Sequence, residues 1–151
     1  MKRILFILVM FVGSGVVSAT TSEDQMMCES SAIYGKWKWH KYIYEGQEYP
    51  LSNPDLHLTF EFSRGGGNRL HWERKGQRGF CERYGNYIFS QCYLIDKVVW
   101  VNPKNAMECG SDPDMQIDRQ TQGRVEVHGS ELYLYVGGGE KTFIYVWKKQ
   151  N

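Results

Sequence analysis

No run of lysine or arginine in this sequence exceeds two residues, and no apolar stretch approaches the length of a bilayer-spanning helix, about 20 residues. The first lack leaves a general role on nucleic acid or an anionic membrane surface without electrostatic support. The second leaves the chain without a helical membrane anchor. No segment of a dozen residues carries a 3.6-residue apolar stripe, which argues against a helical bundle or a βαβ architecture. There is no internal repeat of the length that marks propellers and solenoids. The closest cysteines are 11 residues apart, too far for the paired ligands of a structural zinc site. Gly-x-Ser-x-Gly, His-Glu-x-x-His and a glycine-rich phosphate loop are all missing, so no residue is assigned a catalytic role and no cofactor or metal is expected.

What is present begins with an export signal. Met1, Lys2 and Arg3 precede a short apolar run over 4–12, and Val17-Ser18-Ala19 supplies the small residues read by a signal peptidase. Residues 1–19 are therefore expected to be a cleaved signal peptide, followed by an N-terminal segment over 20–32 and a single domain over 33–148. Setting residues 1–19 aside leaves 16 basic against 17 acidic residues, a net charge of −1. No cysteine stands where lipid attachment would need one, so the expected destination is periplasmic or secreted. In an oxidising compartment the four cysteines Cys28, Cys81, Cys92 and Cys109 read as two disulfides. The preferred pairing is Cys92–Cys109 with Cys28–Cys81; an alternative joins Cys81 to Cys92 across neighbouring strands.

Period-2 alternation dominates the rest. Leu56, Leu58, Phe60 and Phe62 face one way, with His57, Thr59, Glu61 and Ser63 opposed, and a Gly65-Gly66-Gly67 turn leads to Leu70 and Trp72. Pairing Arg64 with Asn68 sets Phe62 opposite Leu70, Phe60 opposite Trp72 and Glu61 opposite His71. The stretch 33–44 places Trp37, Trp39 and Ile43 on one face. Strands over 80–84 and 87–95 flank a Gly85-Asn86 turn, and others follow over 97–101, 124–128, 131–136 and 141–148. Eight to nine short strands with hairpin connections predict an all-β domain, and closure into a single antiparallel up-and-down barrel of about eight strands removes the edges that such a meander would expose.

Gly35-Lys36-Trp37 opens the first of these strands. A Gly-x-Trp there resembles the start of lipocalin and related calycin barrels, avidins included. The resemblance implies an eight-stranded, disulfide-stapled barrel over 33–148 with a central cavity, its Trp closing one end. The lipocalin C-terminal helix has no counterpart after the last strand. The early Gly-x-Trp and late cysteines are also similar to small exported META-type domains, whose Cys-Asn pair is replaced here by Cys81-Glu82.

Three features bear on function. Trp37, Trp39, Phe60, Phe62, Trp72, Phe143 and Tyr145 lie on core-facing positions, where they either line a pocket for a small apolar or aromatic ligand or simply fill the barrel. Tyr133 and Tyr135 point away from Leu132, Leu134 and Val136, so that hairpin is apolar or amphipathic on both faces. It offers a protein-partner surface or a face covered by residues 20–32. The irregular stretch 102–122 carries Glu108, Asp112, Asp114, Gln116 and Asp118 around Cys109. It reads as a disulfide-tethered loop or lid rather than a calcium loop, since the glycine and terminal Glu of the helix-loop-helix calcium motif are missing. The expected function is an exported, non-enzymatic lipocalin-like ligand binder. The alternative is a protein-interaction module or inhibitor of the cell envelope, acting through its surface and the 102–122 loop.

Overall fold

Alternating large and polar side chains draw the chain into nine strand segments in a computed structural model that describes residues 28–137 and 142–151. The signal-peptide assignment, and residues 138–141 of the last turn, lie outside the described residues. In chain order the segments are β1 (Gly35–Tyr44), β2 (Gln47–Pro50), β3 (Leu56–Phe62), β4 (Gly67–Arg74), β5 (Phe80–Ser90), β6 (Tyr93–Val101), β7 (Gln120–His128), β8 (Glu131–Val136) and β9 (Phe143–Lys149). Each pairs antiparallel with its sequence neighbour or next neighbour, and β9 returns to β1 from Trp37↔Lys149 to Tyr44↔Phe143, which closes the barrel. The outer half of β1 pairs with β2 and the inner half with β3. β2 and β3 thus act as one interrupted strand, and the barrel is eight-stranded, as expected. Among the described residues the only helical pieces are two short 3₁₀ turns, Met107–Ser111 and Pro113–Met115.

Several local expectations are corrected. In the β3–β4 hairpin Phe62 faces Asn68, Phe60 faces Leu70 and Leu58 faces Trp72, two residues away from the expected register. Both Ser63 N and Ser63 Oγ donate to Gly67 O at 2.8 Å, which closes a three-residue turn one position earlier than expected; the resulting two-residue change of register preserves the alternation, so the pattern alone cannot detect it. Gly85-Asn86 is not a turn. β5 runs straight through it, and the chain reverses at Gln91-Cys92, both with positive φ, as a two-residue hairpin requires. In β1 the register slips between Trp39 and Lys41. This bulge turns Tyr42 and Tyr44 to the face of Trp39 and moves Ile43 off it.

The disulfides join Cys28 to Cys92 and Cys81 to Cys109, so both expected pairings are overturned. The cause is the relocated reversal: Cys92 sits in the β5–β6 turn at one end of the barrel, while Cys81 lies near the start of β5 at the other. Each cysteine finds the segment that crosses its own end. β7 also begins earlier than expected, at Gln120, because 120–124 pair with Lys97 through Tyr93 of β6. The irregular stretch is therefore 102–119.

Candidate functional site

The two ends of the barrel differ. At one end the segment before β1 folds beneath the strands and buries Ile33 and Trp37 completely. The Trp37 indole donates from Nε1 to the Ile33 carbonyl at 2.8 Å, and Lys149 Nζ sits 5.1 Å from its ring centre. Above this floor Phe62 meets Tyr87 edge-on at 5.1 Å, and the Tyr87 hydroxyl donates to Ser63 O at 2.6 Å. Burial, with a smaller contribution from Tyr34, pushes the Tyr87 phenol up to about 12. The Cys28–Cys92 bridge locks the floor to the β5–β6 turn.

The other end is open. From it a cavity of about 620 Å³ runs into the barrel, lined by Trp39, Leu58, Phe60, Leu70, Leu94, Leu134, Tyr145 and Trp147. The aromatic wall is well ordered: Trp39 meets Tyr145 edge-on at 5.5 Å, and Phe60 lies 5.9 Å from Trp147. Such a volume falls in the range of small-molecule pockets. The 102–119 stretch lies at this mouth, where Asp114 and Arg119 join the lining. It is held by Cys81–Cys109, by the backbone bond from Ala106 N to Phe80 O at 3.0 Å, and by buried Met115.

One wall of the cavity is charged. Arg83 and Asp96 project inward from β5 and β6 with side chains 4% and 6% exposed, and Arg83 Nη2 meets Asp96 Oδ2 at 2.5 Å. Asn68 completes the cluster, donating to Asp96 Oδ1 at 2.6 Å and accepting from Arg83 Nη1 at 2.5 Å. The Arg83 guanidinium also lies 5.2 Å above the Phe60 ring. A turn at Gly85-Asn86 would end the strand just after Arg83, so the alternation alone does not connect Arg83 with Asp96; the continuous β5, paired with β6, does. A signal was present: Asp96 stands between Leu94 and Val98 on the inward parity of a strand.

A second acidic centre, Glu82, is on the outside of β5. Burial works to raise its carboxyl, but bonds from Asn102 and Arg69, helped by His71, outweigh it and hold it below the usual range. His71 Nδ1 lies 3.3 Å from Glu82 Oε2, so His71 partners Glu82 and not the expected Glu61.

The aromatic residues singled out in the sequence are divided by this geometry. Trp39, Phe60 and Tyr145 line the cavity, and Trp147, not singled out, joins them. Trp37 and Phe62 form the floor. Trp72 is half-buried beside Leu58, with Arg74 5.4 Å over its ring, away from the cavity. Phe143 stacks on Tyr44 at 4.4 Å on the rim. Tyr133 and Tyr135 are half-buried on β8, and Tyr135 also borders the cavity mouth. Their hydroxyls donate to Glu131 at 2.8 Å and Glu126 at 2.9 Å, and Arg124 covers Tyr135. In the acidic loop Asp118 pairs with Lys97 at 3.0 Å. Among the described residues no three His, Cys, Asp or Glu side chains gather closely enough to hold a metal.

These features define a closed antiparallel barrel with one sealed end and one open end, the architecture of lipocalin-like proteins. A solved lipocalin-like protein from Bacteroides uniformis ATCC 8492 is similar to it, with a TM-score of 0.55 and 18% sequence identity over 79% of this chain and 99% of that one. No protein-family profile and no curated protein matches the sequence. The fold is lipocalin-like.

Proposed function

We propose that the chain is an exported lipocalin-like binding protein that carries a small apolar or aromatic ligand in its barrel. The observation that carries this reading is the open-ended cavity of about 620 Å³ with Trp39, Phe60, Tyr145 and Trp147 on its wall. The rings meet in pairs, Trp39 with Tyr145 and Phe60 with Trp147, and all four border the cavity. Their burial also offers a ligand apolar area worth about 25 cal/mol per Å² removed from water. Trp37 and Phe62 underlie the proposed site as its floor and Phe143 stands at its rim, while Trp72 lies outside the cavity lining. Export is supported by the signal-like N-terminus and by two disulfides with no cysteine left over. The chemistry is binding rather than catalysis. The test is native mass spectrometry of the mature protein from its own compartment against the denatured mass. A few hundred daltons lost on denaturation is expected, and a bare polypeptide after exhaustive exposure to apolar extracts of that compartment would refute the reading.

A second reading has its own support. Ile88, Tyr93 and Trp100, at 65%, 50% and 42% exposed, form an apolar exterior on β5 and β6. Such a strip suits a protein partner in the envelope, together with Tyr133, Tyr135 and the 102–119 stretch. Recovery of a protein crosslinked to this strip, with no small molecule bound, would put this reading first.

A further inference from the structure

Among the described residues, the polar atoms left without partners inside this barrel are all donors. Trp39 Nε1, Trp147 Nε1 and Arg83 Nε are buried without a hydrogen-bond acceptor, and all three side chains line the same cavity. Trp147 and Arg83 are 4% and 3% exposed. An indole N–H or a guanidinium can only donate. The acceptors of the buried cluster are engaged elsewhere on it: the Asp96 carboxylate takes Arg83 Nη2 and Asn68 Nδ2, and Asn68 Oδ1 takes Arg83 Nη1. Trp37, by contrast, has its indole satisfied by Ile33. Buried polar groups in folded proteins are rarely left unpaired, and those that are call for a specific explanation.

Trp39 and Trp147 are direct cross-strand partners on β1 and β9, so their side chains leave opposed positions on one wall of the cavity. Building on the ligand-binding reading above, we propose that the ligand is a mainly apolar molecule bearing a carbonyl-type acceptor oxygen, as a ketone, ester or carboxylate, and that the Trp39 and Trp147 indole N–H groups recognise it. A carbonyl oxygen carries two lone pairs and can take both donors. Arg83 Nε stands on the facing wall for a further acceptor. A hydrocarbon of the same shape would bury its area but leave the donors unmet. A site built around hydrogen-bonding groups discriminates strongly against an analogue that leaves them unpaired.

The test uses the mature, disulfide-intact protein and two probes of nearly equal size, 2-acetylnaphthalene and 2-ethylnaphthalene, which differ by a carbonyl in place of a methylene. Binding is followed by the indole resonances of the five tryptophans, assigned in the unmodified ¹³C,¹⁵N-labelled protein through their connection to the backbone resonances. The ketone is expected to bind about tenfold tighter than the hydrocarbon, the effect of about one hydrogen bond. It should move the Trp39 and Trp147 indole protons downfield and leave that of Trp37 in place. In Trp39→Phe or Trp147→Phe, each of which also trims the apolar wall, the ratio of ketone to hydrocarbon affinity should fall toward one. Equal binding of both probes with no downfield shift would overturn the carbonyl recognition and leave the ligand-binding barrel standing. If neither probe binds, the cavity reading fails and carries this inference with it. The shifts in the unmodified protein decide the matter even if a variant does not fold.

Discussion

Arg83 lies across Gly85, two residues further along its own strand. A Cβ on Gly85 would sit 2.8 Å from Arg83 Nη1 and only 2.7 Å from the Lys97 carbonyl oxygen, with Asn68 Oδ1 also at 2.8 Å. The glycine is therefore the floor on which the buried Arg83–Asp96–Asn68 cluster rests, and its role is space rather than chain reversal.

Gly85→Ala should accordingly destabilise the barrel by about 1–3 kcal/mol, because backbone and a buried ion pair must both give way. Arg83→Met should cost more, about 3–5 kcal/mol, since it leaves Asp96 buried without its charge partner. Gly110→Ala, which meets nothing within 4 Å, is the control and should stay within about 0.5 kcal/mol. Denaturant midpoints at constant slope measure all three. A Gly85→Ala protein as stable as the parent would show that the cluster does not pack on the glycine.

The two disulfides staple opposite ends of the barrel, and their removal should be separable. Cys28 and Cys92 are 64 residues apart and Cys81 and Cys109 are 28 apart. Loop entropy then assigns roughly 4 kcal/mol to the first bridge and slightly less to the second. Replacing Cys81 and Cys109 together by Ala should also loosen the 102–119 stretch at the cavity mouth, raising its amide exchange while the floor around Trp37 stays protected. Replacing Cys28 and Cys92 should do the reverse. Peptide mapping under non-reducing conditions checks the connectivity first: a Cys28–Cys81 or Cys92–Cys109 peptide would contradict it.

What the sequence made legible here was governed by parity. Alternation identifies which side of a strand a residue occupies, so the barrel, its rough strand count and the inward positions of Trp39, Phe60 and Tyr145 followed from spacing alone. Parity is blind to shifts of two, and the β3–β4 hairpin is displaced by that amount. It is also reset by the bulge after Trp39, which brings Tyr42 and Tyr44 round to the face of Phe143. Gly85-Asn86 has the composition of a hairpin turn, whereas Gln91-Cys92, the real one, does not; the glycine answers to a buried side chain 13 residues from its charge partner, which no local rule reads. The disulfide pairing followed the misplaced turn.

Acid should weaken the fold through its exterior carboxylates. Glu82 is gripped by Asn102, Arg69 and His71, and Glu126 by His128, Tyr135 and Arg124. In each case burial works to raise the carboxyl, and these partners outweigh it and hold the group below its usual value of 4.5. A carboxylate whose pKa is lower in the folded than in the unfolded chain binds fewer protons when folded. Its contribution is therefore complete above the unfolded value and is lost as pH falls through the folded one. Asp114 acts in the opposite sense, pushed upward by loss of hydration and then by Asp112, and offsets part of this loss. Stability should thus be nearly level from pH 7 to about pH 5 and fall progressively below pH 4.5, as followed by denaturant titration at each pH. Glu82→Gln should lower stability at pH 7 and make the acid limb shallower, because the group that would have been protonated is already neutral. A fold equally stable at pH 7 and pH 3, or a Glu82→Gln variant with an unchanged acid limb, would show that these ion clusters do not set the acid limit.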